Sequence, residues 1–220
     1  MATTLYIIRH CEAQGNLDGV FQGMSDCDVT VLGKKQLEKL AERFKDIHLD
    51  RVYSSPLIRA YKTAEAAANG RAVEIVDDLR EIDGGVIEGM KFEDIFAAYP
   101  EVEISWDKTP ENFMAPGGEH MSEVYARVWS SITDIVKANP DSTVAVASHG
   151  AAIRCLICRV TEGSIKNLKF VNWSDNTAVS KLIFDEDMNC RVEYLNDASH
   201  LPPQYIPKKS RITSYVGEKK

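Results

Sequence analysis

The apolar run Leu5-Tyr6-Ile7-Ile8 is followed at once by Arg9-His10-Cys11-Glu12, so a stretch with the character of a buried strand ends in a cation and an imidazole. In an open α/β sheet, ligands bind at the carboxyl ends of the strands, which is where Arg9 and His10 fall. Arginine offers a planar fork of donors suited to phosphate. A neutral imidazole serves as nucleophile, ligand or base near neutral pH. An Arg-His pair alone also occurs on ordinary surfaces, so the weight of this one depends on what the other strand ends carry.

Two further strand ends carry matching chemistry. Thr143-Val144-Ala145-Val146-Ala147 leads directly into Ser148-His149-Gly150, and then into the apolar helical stretch from Ala151 to Ile157. The helix N-terminus so placed, at Gly150 and Ala151, presents unpaired backbone N–H groups and a partial positive charge to an anion. Asp50-Arg51-Val52-Tyr53 meets Ser54-Ser55-Pro56, where proline opens a helix and Arg59 lies on its first turn. Two histidines and two arginines at three strand ends predict a phosphate site.

Elements alternate along the rest of the chain. Leu37, Leu40 and Ala41 set a helical spacing within Gly33 to Phe44. The strand at 51–53 is followed by a helix at about 57–69 and a strand at 73–76. Residues 83–118 read as irregular, with one short helix near Phe92 to Tyr99. Ser122 to Lys137 predicts a long amphipathic helix with Val124, Val128, Ile132 and Ile135 on one face. Late strands are expected near 177–184 and 191–195. The alternation predicts an α/β fold, a three-layer α/β/α sandwich whose mostly parallel central sheet is covered by helices on both faces. Residues 1–200 form one domain on this reading, with 83–118 a small cap insertion over the strand ends and 201–220 a basic C-terminal tail.

Composition narrows the partners. At 220 residues the chain can bury a sizeable core, and its net charge of −7 argues against nucleic acid. There is no charged-then-apolar leader and no run long enough to span a membrane, and five scattered cysteines suit reduced thiols, so a cytoplasmic protein is expected. Cys155 and Cys158 lie one turn apart in an apolar helix and read as core. The histidines and cysteines make no metal-ligand set, so neither a metal nor another cofactor is expected.

These segments, taken in order, resemble the histidine phosphatase superfamily, which includes phosphoglycerate mutases and fructose-2,6-bisphosphatase. The family opens on Arg-His-Gly-Glu where this chain has Arg9-His10-Cys11-Glu12. The likeness runs from about residue 4 to about 200. It takes in Asn16, Gln22-Gly23, Asp28-Val29-Thr30 with Gly33, Ser54 to Ala60, Leu79 to Asp83 with Glu88-Gly89, Pro116-Gly117-Gly118-Glu119 and Ser148-His149-Gly150. It implies a phosphoglycerate mutase-like fold and a two-step phosphoryl transfer. His10 would attack phosphorus and form a phosphohistidine, while Arg9, Arg59 and His149 hold the equatorial oxygens. Glu81 would protonate the leaving oxygen and later deprotonate the water that frees His10. Asn16, Gln22, Gly23, Gly150 and Ala151 would line the substrate. A solvated acidic loop is the competing reading of Glu81, given Asp77, Asp78, Asp83 and Glu88 around it. Ser54 and Ser55 read as caps for the following helix.

Two features shape the activity. Cys11 replaces the family's glycine, which is strained only if that position needs a positive φ; a thiol beside bound phosphate would also be open to oxidation. The cap holds Lys91 and Lys108 as its only Lys or Arg, among many carboxylates and beside Phe92, Phe96, Trp106, Phe113 and Met114. That balance suits a monophosphate with an uncharged or apolar body. The expected activity is therefore a metal-independent phosphomonoesterase acting on a small phosphorylated metabolite, nearest the broad-specificity and α-ribazole phosphatases. The alternatives are a phosphoglycerate mutase or bisphosphatase, and a non-catalytic phosphate-binding module inactivated by Cys11. The sequence leaves the oligomeric state open.

Overall fold

The computed structural model describes residues 2–206. The chain builds β1 (Ala2–Arg9), α1 (Gln14–Asp18), α2 (Val31–Phe44), β2 (Arg51–Ser54), α3 (Ile58–Ala68), β3 (Val73–Ile75), α4 (Phe92–Ala98), α5 (Pro100–Lys108), α6 (Met121–Ala138), β4 (Thr143–Ser148), α7 (Gly150–Glu162), β5 (Val179–Asp185) and β6 (Cys190–Asp197). The sheet order is β3-β2-β4-β1-β5-β6, with β1, β4, β2 and β3 parallel and β5 and β6 antiparallel to their neighbours.

Alternate residues of each strand feed two cores. Tyr6, Ile8, Val52, Ala145 and Ala147 face Leu40 and Phe44 of α2 and Ala64, Ala67 and Ala68 of α3. Leu5, Ile7, Val144, Val146 and Leu182 face Val128 and Ile132 of α6 and Ala152 and Leu156 of α7. Helices therefore cover both faces, as the unbroken apolar runs of β1 and β4 require. Cys155 and Cys158 are buried in the second core.

Register brings the functional residues together. Arg9 pairs with Ser148, and Ser54 with Ala147. The His10 N–H then donates to the Ser148 carbonyl at 2.9 Å and the Ser55 N–H to the Ala147 carbonyl at 3.1 Å. The segments that leave β1, β4 and β2 thus emerge side by side at one edge of the sheet.

The 83–118 segment differs from its sequence reading. It holds two helices, α4 and α5, because Pro100 occupies the first turn of α5, where its missing N–H costs no hydrogen bond. Ile95, Val102, Trp106 and Phe113 join the larger core. Most of the basic tail, from residue 207 on, lies outside the described residues. Among the described residues, no helix is long and apolar enough to cross a membrane.

Candidate active site

At the end of β1 the His10 ring is buried, and its Nδ1 lies 2.7 Å from the Cys11 carbonyl. A carbonyl only accepts, so Nδ1 carries the proton and Nε2 keeps a lone pair. Burial, with the Arg59 and Arg9 guanidinium groups, holds the ring well below its ordinary pKa near 6.5. A neutral imidazole with a fixed tautomer is a ready nucleophile.

Three cationic or donor side chains surround it. Arg9 Nη1 donates to the Ser174 carbonyl. Arg59 is fully buried and donates to the Ser25 and Gly23 carbonyls, both at 2.8 Å. The His149 ring stands 5.2 Å from the His10 ring, centre to centre. Its Nε2 meets the Ser55 hydroxyl at 2.8 Å. The Ser55 oxygen also accepts the Leu57 N–H at 3.3 Å. Arg9 Nε, Arg59 Nε and His149 Nδ1 are all buried without a protein partner. Buried donors of this kind call for an acceptor, and a phosphate oxygen supplies one.

Glu81 closes the site from the N-terminus of α7. Its Oε1 accepts the N–H groups of Ile82 at 3.0 Å and Ala152 at 3.2 Å, and its Oε2 that of Ala151 at 3.0 Å. The side chain is 8% exposed, which a solvated acidic loop would not give. The neighbouring Glu88 is equally structural, accepting the N–H groups of Gly23, Met24, Ser25 and Gly84 at 2.8–3.2 Å.

An open cleft of about 130 Å³ runs from these groups to α4 and α5, lined among others by Arg9, His10, Asn16, Gln22, Glu81, Gly150 and Trp106. Asn16 uses its amide oxygen on the Ala13 N–H, leaving the NH₂ for the cleft. Gln22 lies against Gly15, where a Cβ would sit 2.2 Å from its amide nitrogen and displace the Gln22 side chain. Two sequence expectations change here. Ala151 is a positioning residue, because its N–H is taken by Glu81. Gly23 is also a positioning residue: it is absent from the cleft lining, its carbonyl holds Arg59, and a Cβ would lie 2.1 Å from the Ile82 carbonyl.

Cys11 fits without strain. It is not among the positive-φ residues, its N–H donates to Thr63 Oγ1 at 2.9 Å, and its thiol is buried and pushed up to about 11 by burial. A buried, protonated thiol is a poor target for oxidants, which counts against the oxidation-sensitivity expectation. Several supporting residues escape sequence reasoning. Arg127 of α6 donates to the Asp78, Arg80 and Glu81 carbonyls and to both oxygens of Glu119. Asn176 Nδ2 donates to the His10 carbonyl at 2.9 Å, and the Thr177 N–H to the Arg9 carbonyl at 3.0 Å. Ser174, Asn176 and Thr177 carry no motif; only the Pro116 to Glu119 segment hinted at the Arg127 clamp.

The family model of the histidine phosphatase superfamily (branch 1) matches residues 5–198. Phosphoserine phosphatase 1 of Hydrogenobacter thermophilus is 35% identical over 213 residues, covering 94% of this chain and 99% of that protein. A probable phosphoglycerate mutase GpmB of an Enterobacter species is 32% identical, with 94% and 99% covered. The solved phosphoserine phosphatase of Entamoeba histolytica, in complex with 3-phosphoglyceric acid, superposes with a TM-score of 0.79 at 28% identity, over 91% of this chain and all of that one.

Proposed function

This chain belongs to the histidine phosphatase superfamily, and we propose that it is a phosphomonoesterase working through a phosphohistidine on His10, without a metal. The observation that carries the reading is the His10 Nδ1 contact with the Cys11 carbonyl, which leaves the Nε2 lone pair free beside the buried, unpartnered nitrogens of Arg9, Arg59 and His149. In the first step Nε2 attacks phosphorus, the P–N bond forms and the P–O bond to the alcohol breaks. Glu81 gives its proton to the leaving oxygen. Arg9, Arg59 and His149 hold the three equatorial oxygens as charge shifts across them. In the second step Glu81 takes a proton from water, the hydroxide attacks phosphorus, the P–N bond breaks and His10 is restored.

The cleft favours hydrolysis over transfer between hydroxyls. A mutase must hold a second acidic group, and Arg9, already placed for the phosphate, is the one Lys or Arg among the cleft-lining residues. Relatives named as phosphoserine phosphatases support a small phosphorylated metabolite as substrate. Five free cysteines suit a reducing compartment, in keeping with a cytoplasmic enzyme.

The test is hydrolysis of p-nitrophenyl phosphate in excess chelator by the wild type and His10→Ala, with 3-phosphoglycerate and 2,3-bisphosphoglycerate alongside. Wild type should release phosphate and leave an acid-labile phosphoprotein on rapid quenching. His10→Ala should lose on the order of 10⁴-fold or more. Interconversion of phosphoglycerates without phosphate release would make the protein a mutase. Vanadate binding with no turnover would make it a binding module.

A further inference from the structure

Thr177 is fully buried and lies in the left-handed region, at φ 55°. Glycine or asparagine adopts that conformation readily, but a β-branched residue is an outlier there, held only by the contacts around it. What threonine adds over glycine is a hydroxyl. That hydroxyl, Thr177 Oγ1, lies 3.2 Å from Nε2 of His200.

The His200 ring is fixed from its other side. Arg43 of α2 donates from Nη1 to His200 Nδ1 at 3.2 Å. A guanidinium only donates, so Nδ1 holds a lone pair, Nε2 carries the proton, and His200 donates to the Thr177 hydroxyl. Arg43 is itself anchored, with Nη1 on the Asp197 carbonyl at 2.9 Å and Nη2 on the Asp197 carboxylate at 2.8 Å. Burial, with the Arg43 charge, pushes the His200 ring down to about 4, so the neutral ring and its tautomer hold through neutral pH.

The backbone of Thr177 reaches the strand that carries the nucleophile. Its N–H donates to the Arg9 carbonyl at 3.0 Å and to the His10 carbonyl at 3.4 Å. Asn176 Nδ2 donates to the His10 carbonyl at 2.9 Å, and the Arg9 N–H donates to the Ala178 carbonyl at 3.2 Å. Residues 176–178 therefore hold the stretch of backbone from which the Arg9 and His10 side chains leave, and neither they nor His200 line the cleft.

We propose that His200 is a positioning residue for the nucleophile: acting through Thr177, it fixes the backbone of His10 so that Nε2 meets phosphorus in line. The proposal deepens the phosphatase reading and rests on it for the direction of attack. Misplacing a reacting atom by about 1 Å costs on the order of 100-fold in rate, so a small relaxation of this backbone is enough to measure.

Vanadate and inorganic phosphate separate aim from folding. Both use Arg9, Arg59 and His149, but vanadium also takes the Nε2 lone pair as a fifth bond, so only vanadate reads the direction of His10. By titration calorimetry, His200→Leu should lose about tenfold of its preference for vanadate over phosphate. The single-turnover rate constant for phosphohistidine formation from p-nitrophenyl phosphate should fall about tenfold to a hundredfold, with little change in KM. That rate constant does not depend on the fraction of folded molecules, so a loss of stability alone leaves it unmoved. Thr177→Val keeps the shape, removes the hydroxyl and should show the same losses, and the double variant should lose no more than either single one. His200→Gln, whose amide can accept from Arg43 and donate to Thr177, should restore part of both. An unchanged preference and rate constant in the single variants, even with a lower melting temperature, would overturn the proposal, and additive losses in the double variant would overturn the route through Thr177. If wild type hydrolyses no ester, the phosphatase reading fails, and the vanadate-to-phosphate ratio still judges the role of His200: an unchanged ratio in the variants overturns it.

Discussion

The two ends of the cleft are held in different ways. At the phosphate end each functional group has a directional bond to something rigid: His10 to the Cys11 carbonyl, Arg9 to Ser174, Arg59 to Gly23 and Ser25, His149 to Ser55, and Glu81 to the first turn of α7. At the far end the rings of Trp106, Trp173, Phe21 and Phe92 are held by contact with one another. The difference follows from the task. Stabilising charge that moves during a reaction needs donors fixed beforehand, whereas rings that pack on one another need only shape and area. Substitutions at the phosphate end should therefore act on kcat, and those at the far end on KM and on the choice of ester.

The sharpest division should appear at Glu81. Glu81→Gln keeps the shape and removes the transferable proton, so kcat for alkyl phosphates should fall on the order of 10²–10⁴-fold. The loss in the phosphorylation step should be far smaller for p-nitrophenyl phosphate, whose leaving group needs no proton. Equal losses on both, measured by burst and steady-state kinetics, would assign Glu81 to positioning instead. A smaller effect is expected at Arg127, which touches the site only through the backbone. Arg127→Met should reduce kcat by about tenfold to a hundredfold with little change in KM, and Arg127→Lys should restore part of it. An unchanged kcat would show that the Glu81 loop holds its place without the clamp.

The smallest effect separates the two ends by stability. His10 and His149 are buried with pKa values well below 6.5, and His200, which accepts from Arg43 and meets Thr177, is lowered to about 4. A histidine with a depressed folded pKa binds more protons when unfolded, so its contribution to stability is complete above the unfolded value and is lost as pH falls below it. The melting temperature should drop between about pH 7 and about pH 5, and drop less in His10→Ala than in wild type. The same drop in both would place the acid sensitivity away from the phosphate end.

What the sequence showed was governed by local pattern. β1, β2 and β4 were visible as short strands that run into polar residues: Arg9 and His10 stand at the end of β1, His149 follows β4, and Arg59 lies on the first turn of α3, after β2. Glu81 was visible only through family resemblance, since nothing local separates it from Asp77, Asp78 and Asp83. The second cap helix was hidden by Pro100, which looks like an interruption unless it opens the helix. Arg127, Ser174, Asn176 and Thr177 act through backbone carbonyls and amides of residues far away in the chain, and such bonds leave no mark on residue type. The aromatic wall was half visible: the aromatics and the scarcity of cations in 83–118 were plain, but the pairing of Trp106 with Trp173 exists only once α5 meets the segment that follows α7.

The anchoring of Glu81 also sets an order of events. An ionised carboxylate oxygen has two lone pairs, and on Oε1 both are occupied, by Ile82 and Ala152. Oε2 accepts only from Ala151 and keeps one lone pair. The transferred proton therefore has a single seat, on one oxygen and on one side of it. On the proposed two-step route the departing alcohol and the incoming water share that spot in turn, so the alcohol leaves the enzyme before water enters and inorganic phosphate is the last product off.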